Sequence, residues 1–249
     1  MLKRIIFIYC ILTNYLIASD IIVAVASNVS YAIDDLEKEF NKLHPEINIK
    51  FILGSSGKLS AQIVHGAPYQ LFMSANMKLP KALYDRGLTT AKPVVYAQGM
   101  LCYLSNTQQD FSQGIRLLLD EDIKTIAIAN PKTAPYGEAT LEAILSAGIY
   151  NKIKHKLVYA ESISQTLSYT INATDIGFIA KSLLYSPKML HYKKGIHYLD
   201  VDIKLYRPIN QGIVLLKHAQ ANSDAKAFYL FMQSKKAKQI LTSYGYLAS

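Results

Sequence analysis

Apolar runs and helix-spaced apolar positions take turns along most of this chain. Ile21-Ile22-Val23-Ala24-Val25 is a short continuous apolar run, and Ala32, Ile33, Leu36, Phe40 and Leu43 follow at helical spacing until His44-Pro45. That reads as a strand and then an amphipathic helix, with the proline as its stop. The pair recurs with residues 47–53 extended, Leu59 and Ile63 on a helix ended by Gly66-Ala67-Pro68, then Leu71-Phe72-Met73 and a short helix over 79–83 before Gly87. A second alternation reads strand 125–129, helix 138–147, strand 156–160, helix 163–171 and strand 176–180. Two long extended runs, 94–104 and 209–216, flank it. Amphipathic helix returns at the end with Ala227, Phe228 and Phe231, then Ala237, Ile240 and Leu241. This alternation predicts an α/β protein with parallel sheets. It divides into two lobes: lobe I from residues 20–97 and 209–249, lobe II from the inserted 98–208. The two extended runs then form a two-strand hinge.

Residues 1–19 break the pattern. Lys3-Arg4 precede an apolar stretch from Ile5 to Ile17, and Ala18-Ser19 supply small residues before Asp20. This order of charge, apolar core and small residues predicts a secretory signal peptide, so an exported, soluble mature protein is expected. Cys10 lacks the preceding small residues of a lipoprotein cleavage site and leaves with the signal. Cys102 is then the only cysteine, which excludes an intrachain disulfide. Its place in Met100-Leu101-Cys102-Tyr103-Leu104 marks a buried structural thiol.

At 249 residues the chain can bury two cores, and 51% apolar with 18% charged residues is a folded rather than a disordered composition. The formal charge is +9, two units of it from Lys3 and Arg4. A basic surface steers anions inward. No lysine–arginine block interleaved with aromatics is present, which argues against nucleic-acid binding.

Four short polar turns link strands to helices, and they carry the candidate chemistry. They are Ala26-Ser27-Asn28, Gly54-Ser55-Ser56-Gly57, Ala134-Pro135-Tyr136-Gly137 and Glu161-Ser162-Ile163. The start of a helix exposes unpaired N–H groups and the positive end of its dipole, which favour an anion. Ser162 and Gln165 have capping-box spacing, which leaves the Ile163 amide in the first turn without an intrahelical partner. Gly54-Ser55-Ser56-Gly57-Lys58 lacks both the leading glycine and the final Ser/Thr of a phosphate loop. It also lacks nucleophile-elbow spacing, because Gly57 follows Ser56 directly. The six histidines show no metal-ligand spacing, and no acid/base pair stands out. Hydroxyls and amides without fixed charge suit a small oxyanion.

Taken in order, Ala-Val-Ala-Ser-Asn, Gly-Ser-Ser-Gly-x-Leu-x-x-Gln-Ile, Gly-Ala-Pro, Leu-Phe-Met-Ser-Ala, Asn-Pro-x-x-Ala-Pro-Tyr-Gly and Ile-Gly-Phe-Ile-Ala resemble the periplasmic molybdate-binding proteins of ABC transporters. The ending Ala227-Phe228…Ile240-Leu241-x-x-Tyr244-Gly245-Tyr246 is similar as well, so the resemblance covers residues 20–249. It implies a type II periplasmic binding protein whose two lobes close on a molybdate or tungstate dianion and deliver it to an ABC permease. It implies no enzyme activity and no cofactor, and a monomer is expected. Carried over by position, the anion's donors are Ser27, its neighbour Asn28, Ser56, Tyr136 and Ile163, the last through its backbone amide. Tyr136 can serve through its amide or its phenol. Two positions depart from the family: Ala180 stands where some members place a ligand-contacting tyrosine, and Gln70 replaces the aspartate before Leu-Phe. Two other readings stay open: a receptor for another tetrahedral oxyanion such as sulfate, and a secreted hydrolase using Ser56 with a histidine.

Overall fold

The computed structural model describes residues 19–247. The expected signal peptide lies outside them apart from Ser19, the first residue of β1. Among these residues ten strands form two five-stranded sheets. The first has the order β2-β1-β3-β10-β4, from Ile47–Gly54, Ser19–Ala26, Leu71–Ser74, Ile209–Leu215 and Val94–Gly99. The second has the order β7-β6-β8-β5-β9, from Leu157–Ala160, Ile126–Ala129, Ile176–Ala180, Leu101–Leu104 and Tyr198–Asp200. Among the described residues eight α-helices accompany them: α1 Ile33–Asn41, α2 Ser56–Val64, α3 Lys78–Asp85, α4 Pro135–Ser146, α5 Tyr150–Ile153, α6 Ile163–Asn172, α7 Ser223–Phe231 and α8 Lys235–Ser243. None of the described helices is long and apolar enough to cross a membrane.

The sheets are mixed where parallel ones are expected. β1 pairs parallel with β2 and β3, and β6 with β7 and β8. β10 runs antiparallel to β3 and β4, and β5 antiparallel to β8 and β9. The parallel strands are joined by helical crossovers, as parallel pairing demands. β5 and β10 belong to the runs that pass between the lobes, and no α-helix lies between either of them and the strand before it. The run 94–104 breaks only at Met100, where β4 of one sheet gives way to β5 of the other.

Central strands β3, β5, β6 and β8 are buried at every position, which explains why they read as unbroken apolar runs rather than alternating ones. One core cluster fills the second lobe, and two lie on the faces of the first sheet. Helix starts differ from expectation in ways that matter for the site. α4 begins at Pro135 rather than residue 138, because proline's fixed φ is already helical at the first position. α2 begins at Ser56, before the glycine that seemed to precede it in sequence. Ser27–Val29 forms only a 3-10 turn, and α1 follows at Ile33, so this turn does not open an α-helix.

Candidate functional site

Three α-helix starts and the 3-10 turn face one small cavity between the two sheets. It is lined by all five expected residues, Ser27, Asn28, Ser56, Tyr136 and Ile163. Ser55 and Ala75 also line it. Every lining residue is uncharged, so neither a carboxylate nor a cation faces the interior. Among the described residues no group of three or more His, Cys, Asp or Glu is placed to hold a metal.

Each turn keeps donors available. The Ser56 hydroxyl accepts from Ala75 N at 2.9 Å, which leaves its own hydrogen for another acceptor. Ser55 precedes α2 in extended conformation, makes no cap bond, and its buried Oγ has no partner. Ser162 caps α6 by accepting from Gln165 N at 3.3 Å. Gln165 Oε1 in turn accepts from Glu161 N at 2.7 Å, one residue before the cap. The Ile163 N–H, in the first turn, has no intrahelical acceptor. Tyr136 is the second residue of α4, so its N–H is likewise a first-turn donor. Its phenol is engaged elsewhere: the hydroxyl accepts from Gln211 Nε2 at 3.1 Å and lies against Gly99.

Contacts between lobes surround the cavity. Gly57 N donates to Thr133 O at 2.8 Å, Ser164 Oγ to Ser27 O at 3.1 Å and Ser182 Oγ to Asn28 O at 2.7 Å. Within the second lobe, Arg207 pairs with Glu138 and Glu142 of α4. Lys58 and Glu161 form a 2.7 Å ion pair from lobe to lobe, with both side chains more than half exposed. Exposed pairs of this kind contribute about 0–1 kcal/mol and are screened by salt. Lys58→Ala is therefore expected to weaken anion binding by no more than about fivefold in dilute buffer. Titrations at low and high salt check this, and the difference should vanish at about 1 M salt.

Two departures now have a structural account. Gln70 Oε1 accepts from Ile22 N at 2.6 Å, so this side chain satisfies a backbone donor of β1 at the head of β3. Ala180 ends β8, is fully buried, and does not line the cavity. Sequence reading missed Gln211, Tyr96 and Tyr246, which form a buried polar cluster with Asn28 and Tyr136. The available signal was a glutamine inside the apolar run 209–216. Burial pushes the phenols of Tyr96, Tyr136 and Tyr246 well above the usual tyrosine range, so they stay neutral donors. Burial also pushes the Cys102 thiol up, away from the thiolate form a nucleophile needs.

The family model described as bacterial extracellular solute-binding protein matches residues 21–247. The chain belongs to that family. Among curated solute-binding relatives, the molybdate-binding protein ModA of Rhodobacter capsulatus is 33% identical, over 92% of this chain and 89% of its own. ModA of Azotobacter vinelandii is 32% identical, over 92% and 90%. The solved structure of the Azotobacter vinelandii periplasmic molybdate-binding protein superposes with a TM-score of 0.84 at 30% identity, over 92% of this chain and 99% of that one. The two-lobe periplasmic-binding-protein fold thus stands, and solute-binding proteins of this kind are transport components rather than enzymes. The hydrolase reading is not favoured: no histidine and no carboxylate lines the cavity beside Ser56.

Proposed function

We propose that this protein is a periplasmic receptor that captures molybdate or tungstate between its lobes and delivers it to an ABC permease. The observation that supports this most is the uncharged cavity, onto which Ser27, Asn28, Ser56, Tyr136 and Ile163 bring hydroxyls and first-turn amides from both lobes. A tetrahedral dianion offers four oxygens, each able to accept about two hydrogen bonds, so such donors replace its water. Hydrogen bonds to a charged group are worth about 1.5–3 kcal/mol each, roughly a ten- to hundredfold change in affinity. Tyr136 serves through its amide in this reading, since its hydroxyl lies against Gln211 and Gly99, neither of which lines the cavity. The relatives named for molybdate support the choice of ion.

The functional lobes follow the two sheets: β4 stays paired with β10 through Gly99, so the expected boundary after residue 97 moves to Met100, and the lobes close about the two connecting runs; closure of this type is a known class of domain motion. Export through the signal at residues 1–19, action as a monomer and docking of the closed form on the permease complete the reading. Calorimetric titration with molybdate, tungstate, sulfate and phosphate in parallel tests it. Tight binding of the first two is expected, and a protein that prefers sulfate would sink the assignment. Ser56→Ala is expected to weaken molybdate binding at least several-fold. It also strips Ala75 N of its acceptor, which lowers stability by about 1–3 kcal/mol without unfolding the protein.

A further inference from the structure

Five side chains form a buried network that begins at the cavity: Asn28, Tyr96, Tyr136, Gln211 and Tyr246, none more than 3% exposed. Gln211 is its hub. Its Oε1 accepts from Asn28 Nδ2 at 2.9 Å and from Tyr96 OH at 2.8 Å, while its Nε2 donates to Tyr136 OH at 3.1 Å. Asn28 Nδ2 also donates to Tyr246 OH at 2.8 Å, and Tyr246 OH donates to Asn28 O at 2.9 Å. One atom is left over: Asn28 Oδ1 is buried and has no partner, although Asn28 lines the cavity. A buried acceptor without a donor costs free energy, and beside a dianion it would also repel the ligand.

Carboxamides have two orientations of almost the same shape, and the surrounding hydrogen bonds select one. Here a paired turn removes the orphan. With both amides turned, Gln211 Nε2 donates to Asn28 Oδ1, and Gln211 Oε1 accepts from Tyr136 OH. Tyr246 OH can then donate to Asn28 Oδ1, because Ser182 Oγ already donates to Asn28 O at 2.7 Å. Tyr96 OH becomes an acceptor from Gln211 Nε2. Asn28 Nδ2 then occupies the position where Oδ1 lacked a partner, which leaves it free to donate to a ligand in the cavity that Asn28 lines.

We infer that Gln211, which does not line the cavity, is a specificity-determining positioning residue: turned together with Asn28, it holds that carboxamide with Nδ2 free to meet the bound oxyanion. The inference rests on the oxyanion reading above and deepens it. An outward Nδ2 suits a fully deprotonated dianion such as molybdate. An outward Oδ1 would instead accept a hydrogen bond from the P–OH group of hydrogen phosphate. The orientation of one amide therefore sorts the two anions, and Gln211 couples it to Tyr136 of the opposite lobe.

The test compares wild type with Gln211→Met, titrating molybdate and inorganic phosphate by calorimetry and following side-chain amide ¹⁵N–¹H signals. Methionine fills the same space but cannot orient Asn28. Molybdate affinity is expected to fall about tenfold in the variant, the loss of one hydrogen bond to a charge, with phosphate affinity falling less. In wild type, saturating molybdate should shift the carboxamide signals of Asn28 and Gln211 together. An unchanged molybdate-to-phosphate ratio in Gln211→Met, or Gln211 signals that stay put at saturation, overturns the inference. If Gln211→Met fails to fold, the wild-type signals decide alone. A wild type that binds neither anion overturns the ligand reading itself, and the paired turn with it.

Discussion

Gly57→Ala is expected to weaken oxyanion binding by about ten- to hundredfold while leaving the anion-free protein folded. A methyl group at Gly57 would sit 2.7 Å from Thr133 O and 2.9 Å from Thr133 Cα. Both are backbone atoms of the opposite lobe, so neither can swing aside. Gly57 N also donates to that same carbonyl at 2.8 Å, which makes this one of the closest approaches between the lobes. Forcing atoms into a packed junction costs about 1–3 kcal/mol, the range that yields the predicted loss. Within α2 the change has the opposite sign. Gly57 has no positive φ, and alanine is the better helix former by about 1 kcal/mol. The open protein should therefore melt no lower than wild type, while the closed one is blocked. Calorimetry with molybdate and a thermal melt without it separate the two effects. Wild-type affinity in the variant would show that the Gly57–Thr133 approach plays no part in holding the ligand.

Gly137→Ala is expected to have the largest effect on stability. Gly137 is buried in the first turn of α4, and a Cβ there would press on the carbonyl groups of Ala129 and Asn130 at the end of β6. Strand end and helix start meet backbone to backbone, so α4 must lift away from the sheet. The expected cost is at least about 2 kcal/mol, outweighing the gain in helix propensity. Because Tyr136 is the preceding residue, its amide moves with the helix start. Urea unfolding should show the lower midpoint, and the remaining folded protein should bind molybdate more weakly. An unaltered midpoint would mean that α4 has more room than the structure shows.

Most element types were legible because period and punctuation agreed. The strand over 176–180 matches β8, and the capping pair Ser162 and Gln165 marks the start of α6, where Ile163 is the first helical residue. Helix starts at Pro135 and Ser56 were read late, since glycine after the first residue looks like a loop until the backbone shows a helix opening through it. The direction of β5 and β10 was not legible at all. A buried strand reads as an apolar run whichever way its neighbours point, and pairing direction depends on where the chain arrives from.

The candidate site divides along the same line. Local sequence marked the four polar turns, because turn chemistry acts over three or four residues, and the family resemblance picked out Ser27, Asn28, Ser56, Tyr136 and Ile163 within them. Only the tertiary structure decided that these turns, up to 136 positions apart by their numbers in the chain, line one uncharged cavity. It also decided that the Tyr136 phenol turns to Gln211 and that Asn28 is tied to the hinge strand β10. Those facts come from packing between lobes, where a side chain's partner is set by the whole fold and leaves no trace in its neighbours along the chain.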